Sequence, residues 1–492
     1  MAVTRKMHSV FLLGGRIQKM KSFLLLLAVS SVFWLLAWGA TSRGAVKDFD
    51  PATAEPPALS SAAQPSPTLK RITTETTVVS RIGTFQAGTL TVSPDGRRFA
   101  YARKEGKGWV VEVDGKIEGT FKAVGLVHGP VGIYARTGFL DYVGIKPMIF
   151  SLDSRHLAYS ALEADSWFIV RDGQKGPPFK SVGSPVMSRD GQRLAYPALV
   201  PGGWCVVVDG TSGKVFEKVG PPAFSPDGRR FAYATRAGGK ERMVVDGVEG
   251  KAYDSLDVVS GLGALLAFPT LVPEFPIFNA DGRLAHHGKQ SGKWHIVVEG
   301  QESEAFLEVG DLTFSPDGKR LAFPARKPPW TVVVDGQAQG SFDKQPFLVF
   351  SPDSKRLAVI AESGGKQTIS IDSKAVGTHE GIGVPTFSPD SSRLAYAVKT
   401  GKQWAAVIDG VTQKAYLSVS PPVFSPDGTH VAYVAAQSQD RWLVVVDGIE
   451  GKVYEGLLRG ARIVFSDNSH FHYFVVSQNR IVLVEEDLQA GQ

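Results

Sequence analysis

The chain has 492 residues, of which 43% are hydrophobic and 21% charged, which is an ordinary composition for a globular protein. Its formal net charge is +6, but six of the 54 basic residues lie at or before Arg43, ahead of the first acidic residue. Without these six, 48 basic residues face 48 acidic residues. The rest of the chain has no basic excess to hold a phosphate backbone, so we expect no nucleic-acid partner.

The first element in chain order is an uncharged segment between Lys21 and Arg43. Its apolar core, Phe23–Trp38, follows five basic residues, which is the pattern of a secretory signal or an uncleaved signal anchor. Met20, directly before this run, is an alternative start. We predict that residues 1–43 export the protein to the periplasm or another extracytoplasmic compartment. An uncleaved segment would anchor it to the inner membrane and would be its one membrane contact.

Residues 44–70 are rich in Pro, Ala and Ser, and we interpret them as a flexible linker to a repeat domain at residues 71–492. Cys205 is the single cysteine, so no internal disulfide can form. A large exported domain without disulfides suits a bacterial envelope better than a eukaryotic secreted protein.

From residue 71 onward a motif like Phe-Ser-Pro-Asp-Gly recurs. A second motif, like Val-Val-Val-Asp-Gly, follows it in nine units, and a tryptophan lies just before this second motif in seven of them. The periodic tryptophan indicates a packing role rather than a ligand platform. The second position of the first motif falls at ten residues: Ser93, Ser151, Ser188, Ser225, Asn279, Ser315, Ser351, Ser388, Ser425 and Ser466.

One unit, Pro221–Leu256, shows the pattern of all ten. Its Ser-Pro-Asp-Gly turn precedes an alternating strand, and its Val-Asp-Gly turn separates two more strands. Four short strands per unit predict an all-β fold, a β-propeller of about ten four-stranded units. The last unit stops one strand short, and we expect Thr76–Gln86 to supply that strand and close the ring. A single large ring and two fused rings both remain open.

The recurring Phe-Ser-Pro-Asp-Gly-(Lys/Arg)-Arg-x-Ala-Tyr, as in Phe224–Tyr233, resembles the WD-repeat-like propeller units of TolB-type periplasmic proteins. The resemblance covers about Thr89–Glu486. The chain departs from TolB itself in having no preceding α/β domain and an unusually regular Val-Asp-Gly hairpin. The resemblance implies an exported bacterial branch of the family, with a propeller used for binding in the envelope. It implies no particular ligand.

No catalytic motif is present: Gly-x-Ser-x-Gly, a phosphate loop, His-Glu-x-x-His and a calcium loop are all missing from the sequence. We interpret the repeated aspartates as turn residues rather than a metal ring. His286 and His287 are adjacent on a strand and point to opposite faces, while His470 and His472 share a face without a third ligand. We therefore expect no catalytic residue, no cofactor and no metal, and a buried, inert Cys205.

Two long steps between repeats, of 58 and 54 residues, reveal insertions near Gly125–Pro147 and Asp257–Pro276. We expect both to lie between a fourth strand and the first strand of the next unit, on the face opposite the Ser-Pro-Asp-Gly turns. Loops on a rigid scaffold commonly carry function. The first insertion supplies the candidate ligand-binding residues, which are His128, Tyr134, Arg136, Asp141 and Tyr142.

The favoured hypothesis is a non-enzymatic envelope propeller that binds a protein, peptide or glycan. One alternative is a propeller enzyme, a lyase or hydrolase, whose active site lies at the channel mouth and draws residues from several units. Another is a tethered structural scaffold.

Overall fold

The computed structural model describes residues 69–79, 89–125, 148–256, 277–458 and 462–490. These residues form ten antiparallel sheets of four or five strands, and they contain no helix. The sheets are the blades of a ten-bladed β-propeller, so the predicted fold is confirmed. The described part of the chain accordingly holds no helix that could span a bilayer. The predicted signal segment and almost all of the linker lie outside the described residues.

Each blade has four strands, and the first of them is often split into two short pieces. In blades 1 to 5 the strands are, in chain order, Thr91–Val92, Phe99–Glu105, Gly108–Val113 and Lys116–Phe121; Ala123–Val124, Met148–Phe150, Leu157–Glu163, Ser166–Arg171 and Gln174–Lys175; Ser181–Val182, Val186–Met187, Leu194–Val200, Gly203–Val208 and Thr211–Ser212; Lys218–Val219, Ala223–Phe224, Phe231–Ala237, Lys240–Val245 and Val248–Tyr253; and Ile277–Phe278, Leu284–Gln290, Lys293–Val298 and Gln301–Glu302.

Blades 6 to 10 repeat the arrangement, and in blade 10 the fourth strand comes from the N-terminal side of the domain. The strands are Glu308–Val309, Thr313–Phe314, Leu321–Arg326, Trp330–Val334 and Gln337–Phe342; Phe347–Phe350, Leu357–Ser363, Lys366–Ile371 and Lys374–His379; Gly381–Ile382, Thr386–Phe387, Leu394–Thr400, Gln403–Ile408 and Val411–Tyr416; Ser418–Val419, Val423–Phe424, Val431–Ser438, Arg441–Val446 and Ile449–Glu450; and Gly456–Leu457, Val464–Phe465, His470–Ser477, Arg480–Ala490 and Leu69–Val79.

The first strand of each blade lies at the hub of the ring. First strands of neighbouring blades approach each other, as Val186–Met187 and Ala223–Phe224 do. Fourth strands such as Gln337–Phe342 are largely exposed. We call the first strand the hub strand, because it borders the central channel of the propeller, and the fourth the rim strand.

The ring closes between blade 10 and blade 1. Leu69–Val79 pairs antiparallel with Arg480–Ala490, which confirms that an N-terminal segment completes the last blade. The strand begins and ends seven residues before the predicted Thr76–Gln86. Phe99 and Tyr101 of blade 1 share a core cluster with Phe474 of blade 10. Every one of the ten junctions between consecutive blades holds such a cluster, so the blades form one ring rather than two.

The two repeated turns have the chemistry that the sequence predicts. In blade 4, Ser225 Oγ and the backbone N–H of Arg229 both donate to Asp227 Oδ1, at 2.5 and 3.0 Å. In the hairpin, Asp246 and Gly247 have φ of 50° and 84°, as a type I′ turn requires. Asp246 Oδ1 also accepts the N–H of Phe231 at 2.9 Å. These aspartates are structural, and the same contacts recur around the ring.

The periodic tryptophans pack as predicted. All seven lie at the start of a third strand and pair with an aromatic residue that ends the rim strand or follows it within five residues: Trp109 with Phe121, Trp167 with Phe179, Trp204 with Phe216, Trp294 with Phe306, Trp330 with Phe342, Trp404 with Tyr416, and Trp442 with Tyr454. Cross-strand aromatic pairs of this kind stabilise an antiparallel sheet.

An arginine just before the second strand ties most blades to the next, and we call it the clamp arginine. In blade 8, Arg393 Nε donates to Asp409 Oδ2 at 2.8 Å within its own blade. Its Nη1 donates to the carbonyls of Gly428 and Thr429 in blade 9, at 2.7 and 2.8 Å. Its guanidinium lies 5.3 Å from the ring centroid of Phe424. The same cation–π contact joins six blade pairs: Arg98–Phe150, Arg193–Phe224, Arg230–Phe278, Arg320–Phe350, Arg356–Phe387 and Arg393–Phe424.

Arg393→Ala is expected to lower the free energy of unfolding by about 2 kcal/mol, because charge-assisted hydrogen bonds contribute about 1.5–3 kcal/mol and two carbonyls lose their donor. Urea unfolding followed by tryptophan fluorescence measures the change. Lys402→Ala, at an exposed position of the same blade that makes no hydrogen bond or ion pair within the described residues, is the control. Equal unfolding midpoints for both variants would show that the clamp does not stabilise the ring.

Arg71→Ala is expected to destabilise the ring more strongly. Arg71 forms a bidentate ion pair with Glu486, at 2.5 and 2.6 Å, and the two side chains are only 8% and 1% exposed. Removing the cation leaves a buried carboxylate, which costs about 3–5 kcal/mol. The measurement is urea unfolding, with exposed Lys70→Ala as the control. A midpoint like that of the control would contradict a role for this pair in closing the ring.

Candidate functional site

The first insertion interrupts the hub strand of blade 2. Ala123 and Val124 pair with Leu162 and Ala161, and the second piece, Met148–Phe150, continues along the same neighbouring strand from Tyr159. Residues 126–147 lie between the two pieces, outside the described residues. Because the partners of Val124 and Met148 are two residues apart, the insertion leaves and rejoins the hub strand at nearly the same place.

The second insertion has a comparable position in blade 5. Ser255 bridges to Lys289, and after residues 257–276, which are again outside the described part, Ile277–Phe278 pairs with Ala285 and Leu284.

The prediction that each insertion lies between a fourth strand and the first strand of the next blade holds for residues 257–276, which follow the rim strand Val248–Tyr253 and the Ser255 bridge. It is wrong for residues 126–147, which divide the hub strand of blade 2. The sequence did not reveal this division because the first hub piece, Ala123–Val124, has only two residues, and two residues show no strand alternation.

Other blades show what the insertions replace. In blade 3 the two hub pieces are joined by Gly183, Ser184 and Pro185, and Gly183 N–H donates to the carbonyl of Pro197 at 2.7 Å. Blade 4 has Gly220 followed by two prolines, with the same bond to Ala234 at 2.7 Å. Each insertion thus takes the place of a short Gly/Pro link at the channel wall. The described ends of both insertions therefore lie at the hub.

The five candidate ligand-binding residues, His128, Tyr134, Arg136, Asp141 and Tyr142, all belong to residues 126–147 and lie outside the described residues. Their role stays a prediction. The structure fixes the two ends of their segment, at Gly125 and Met148.

Asp311 occupies the corresponding link in blade 6. It follows Gly310, whose N–H donates to the carbonyl of Pro324 at 2.7 Å, as Gly183 does in blade 3. The Asp311 side chain is half-buried and forms no hydrogen bond or ion pair within the described part of the chain. Burial raises the pKa of its carboxyl group. A carboxyl group of this kind at a channel wall can accept a ligand's hydrogen bond or exchange a proton with it.

Two polar side chains lie close to Gly310, the residue before Asp311. His287 of blade 5 contacts the Gly310 carbonyl through Nε2 at 3.1 Å, and the Gln345 amide of blade 7 packs against Gly310. The hub of blades 5 to 7 therefore carries a group of polar side chains around Gly310. Sequence reasoning missed Asp311, although a signal exists, since it stands where Pro221 and Pro421 stand in their own units.

The remaining sequence candidates are held in structural contacts. Buried His286 is bonded through Nδ1 to the carbonyl of His287 at 2.8 Å, and burial lowers its pKa. His472 Nε2 contacts the Asp95 carbonyl at 2.6 Å across the ring closure, and His470 pairs with Asp467. Among the described residues, no three His, Cys, Asp or Glu side chains are grouped to hold a metal ion. Cys205 is buried as predicted, and burial raises its thiol pKa.

Comparison with known proteins gives no family assignment: no protein-family model and no curated protein matches the sequence. Solved structures are similar in fold. The chain matches, over 73% of its length, 96% of a chain from a crystal structure of the eukaryotic initiation factor, at 13% identity and a TM-score of 0.43.

Two further solved structures are similar at comparable identity. One is the β-propeller domain of the Trilobed protease from Pyrococcus furiosus, described as having an open velcro topology, with 14% identity, 55% of this chain and 94% of that chain covered, and a TM-score of 0.29. The other is the dihydro-heme d1 dehydrogenase NirN in complex with DHE, with 14% identity, 59% and 70% covered, and a TM-score of 0.30. Similarity at this level concerns the fold alone.

Asp311→Asn is expected to raise the melting temperature at neutral pH. Burial raises the pKa of this group in the folded state, so the folded protein holds the proton more tightly than the unfolded chain does. The penalty for the charged form is present at pH 7 and disappears as the pH falls toward the ordinary value of 3.8. The gain from Asp311→Asn must therefore shrink at acid pH.

Thermal unfolding between pH 7 and pH 4 tests this expectation. The control is Asp165→Asn, whose side chain is 97% exposed and which should change nothing at either pH. A neutral or destabilising effect of Asp311→Asn at pH 7 would contradict the burial of an uncompensated carboxylate at the hub.

Proposed function

We propose that this propeller is a non-enzymatic binding module of the cell envelope that captures a protein, peptide or glycan. The observation that carries the proposal is the position of the two insertions: residues 126–147 divide the hub strand of blade 2, and residues 257–276 lie between the Ser255 bridge and the hub strand of blade 5. Binding loops held by a stiff scaffold are a common arrangement, because the scaffold fixes their ends.

The scaffold fixes these ends from both sides. Gly125 N–H, at the start of the first insertion, donates to the carbonyl of Ser160 at 3.0 Å, and Met148 at its end is only 1% exposed. In blade 5, Leu256 is fully buried in the cluster shared with blade 4. Anchored ends lower the entropy that each loop loses when it closes on a ligand. Blades 2 and 5 are three steps apart in the ring, and we infer that one extended ligand contacts both insertions.

Location in the envelope rests on the N-terminal sequence. The apolar run Phe23–Trp38, with basic residues before it, supports export, and the single cysteine is compatible with a bacterial periplasm. The same run would supply the membrane contact if it is retained. Ligand and membrane would then be engaged by different parts of the chain.

A propeller lyase or hydrolase is the second candidate function, and Asp311 is the observation that favours it. A carboxyl group with a raised pKa at the channel wall can serve as a general acid or base. The two candidates differ in the fate of the ligand, which an enzyme converts and a binding module returns unchanged. Mass spectrometry of a captured ligand before and after incubation with the propeller distinguishes them.

Replacing residues 126–147 with Ser-Pro tests the proposal. The replacement joins Gly125 to Met148 in the way that Ser184 and Pro185 join the hub pieces of blade 3. We expect the melting temperature to stay within about 2 °C, because the replaced residues leave all described pairing intact. We also expect loss of binding to ligands detected on glycan and peptide arrays or recovered from solubilised envelope protein.

In a second variant, Gly-Pro-Pro replaces residues 257–276, as in blade 4. Comparison of the two variants shows which insertion binds a given ligand. Loss of a ligand in one variant alone assigns that ligand to one insertion, and loss in both indicates a shared site. If both variants fold and capture the same ligands as the wild type, the insertions are not the binding site and the proposal fails.

A further inference from the structure

Blade 5 departs from the repeat in its turn as well as in its insertion. Asn279 N–H donates to the carbonyl of Arg283, four residues on, whereas Ser225 N–H in blade 4 donates to the carbonyl of Arg230, five residues on. The turn of blade 5 is thus one residue shorter. Arg283 directly precedes the second strand and so occupies the position of the clamp arginine.

Arg283 does not form the clamp. Its side chain is exposed and makes no hydrogen bond or ion pair within the described residues. Glu299, the hairpin acid of its own blade, accepts Nη1 of Arg230 from blade 4 at 3.0 Å. The turn of blade 5 instead reaches blade 6 through Asn279 Nδ2, which donates to the carbonyl of Gly318 at 2.7 Å.

A pocket of about 280 Å³ opens at this junction of blades 5 and 6. Its apolar wall includes Val298 of blade 5 with Phe314 and Leu321 of blade 6. In the junction of blades 3 and 4, the counterparts of these last two, Phe224 and Phe231, lie 5.0 and 5.8 Å from the Arg193 guanidinium. The pocket therefore lies where the other clamps place a side chain over a phenylalanine.

The charges at the mouth of the pocket favour an anion. Arg283 and Lys319 both line it. The one acid in the lining, Asp335, is engaged by Arg320 Nε at 3.1 Å and by the N–H of Leu321 at 2.9 Å.

A cationic ligand would be repelled here by Arg283 and Lys319. The charge of Arg283 also acts on Glu299, but that carboxylate already accepts a hydrogen bond from Arg230. A ligand carboxylate would therefore meet guanidinium donors on Arg283 that form no hydrogen bond within the described residues, which is the geometry that arginine offers to carboxylates.

We propose that this pocket, which is lined by residues of the repeats, is a ligand site for an apolar group that carries a carboxylate. The apolar part packs on Phe314 and Leu321, and the carboxylate pairs with Arg283. The volume is near the lower limit of about 300 Å³ for small-molecule sites, so one aromatic or branched group fits. Two sources share this chemistry: a free aromatic acid, and a peptide that ends in an apolar residue.

Calorimetric titration of the full chain tests the proposal with two matched pairs of probes. Phenylacetate is compared with neutral phenylacetamide, and N-acetyl-Gly-Gly-Phe with its C-terminal amide. We expect at least one acid to bind about tenfold more tightly than its amide, since a charge-assisted pair is worth 1.4 kcal/mol or more. Phenylacetate binding indicates a free acid, and binding of the peptide acid alone indicates a peptide C-terminus.

Two variants locate the binding. Arg283→Ala should raise the Kd of the bound acid about tenfold, while Arg229→Ala, an exposed turn arginine of blade 4, should leave it unchanged. In the second variant, Asn279→Ser and Ala280→Pro are combined with one added arginine after Gly282, which recreates the turn of blade 4. The restored clamp should fill the pocket, raise the melting temperature and abolish binding.

Three results would overturn the proposal: neither acid binds the wild type at millimolar concentration, Arg283→Ala binds as tightly as the wild type, or the variant with the restored turn folds and keeps its affinity. None of these variants changes a residue of either insertion, 126–147 or 257–276. A failure here therefore leaves the proposed function standing, and a failure of the insertion experiment leaves this pocket untouched.

Discussion

The architecture depends on a contact between blades, the clamp arginine. One guanidinium neutralises the hairpin acid of its own blade, supplies donors to two carbonyls of the next blade and covers a phenylalanine there, as Arg393 does for Phe424. In blade 2 a different arginine makes the bonds to the carbonyls of the next blade. Its clamp position holds His156, and Arg171 of the third strand donates to the carbonyls of Gly191 and Gln192 instead. The Phe, Gly and Arg of the repeat thus serve the neighbouring blade as much as their own.

At the ring closure, other side chains make the contacts that the clamp arginine makes elsewhere. Blade 9 has His430 at the clamp position, bonded to Asp447 at 2.6 Å. Its link to blade 10 comes from the opposite direction, since Arg71 of the closing strand donates to the carbonyls of Val444 and Ile449, both at 3.0 Å. Arg71 also pairs with Glu486 inside blade 10. One buried arginine therefore fixes the closing strand to two blades, at the point where no peptide bond continues the ring.

The sequence allowed the blades to be predicted, because strand alternation, turn residues and the Trp pairing are local and repeat in every unit. The sequence did not reveal whether the blades form one ring or two. A single closure depends on Phe99 meeting Phe474, a contact between distant residues that no local pattern contains. The short hub pieces escaped prediction because two residues carry no periodicity. Asp311 was not identified as a candidate from the sequence, because its raised pKa comes from burial, and burial cannot be read from the sequence of a single unit.

Blade 5 brings these points together. It carries an insertion at the hub, a shortened turn, Glu299 in place of the hairpin aspartate and an arginine outside its clamp. Blade 5 still holds blade 6 through Asn279 and through the apolar cluster that joins Phe306 to Phe323. Loss of one clamp can thus be tolerated locally, because the other junctions keep the ring closed. Where the clamp is missing from a junction, as between blades 5 and 6, a pocket can form while the ring stays closed. For that reason the irregular blade, rather than the repeated motif, is where ligand recognition should be sought.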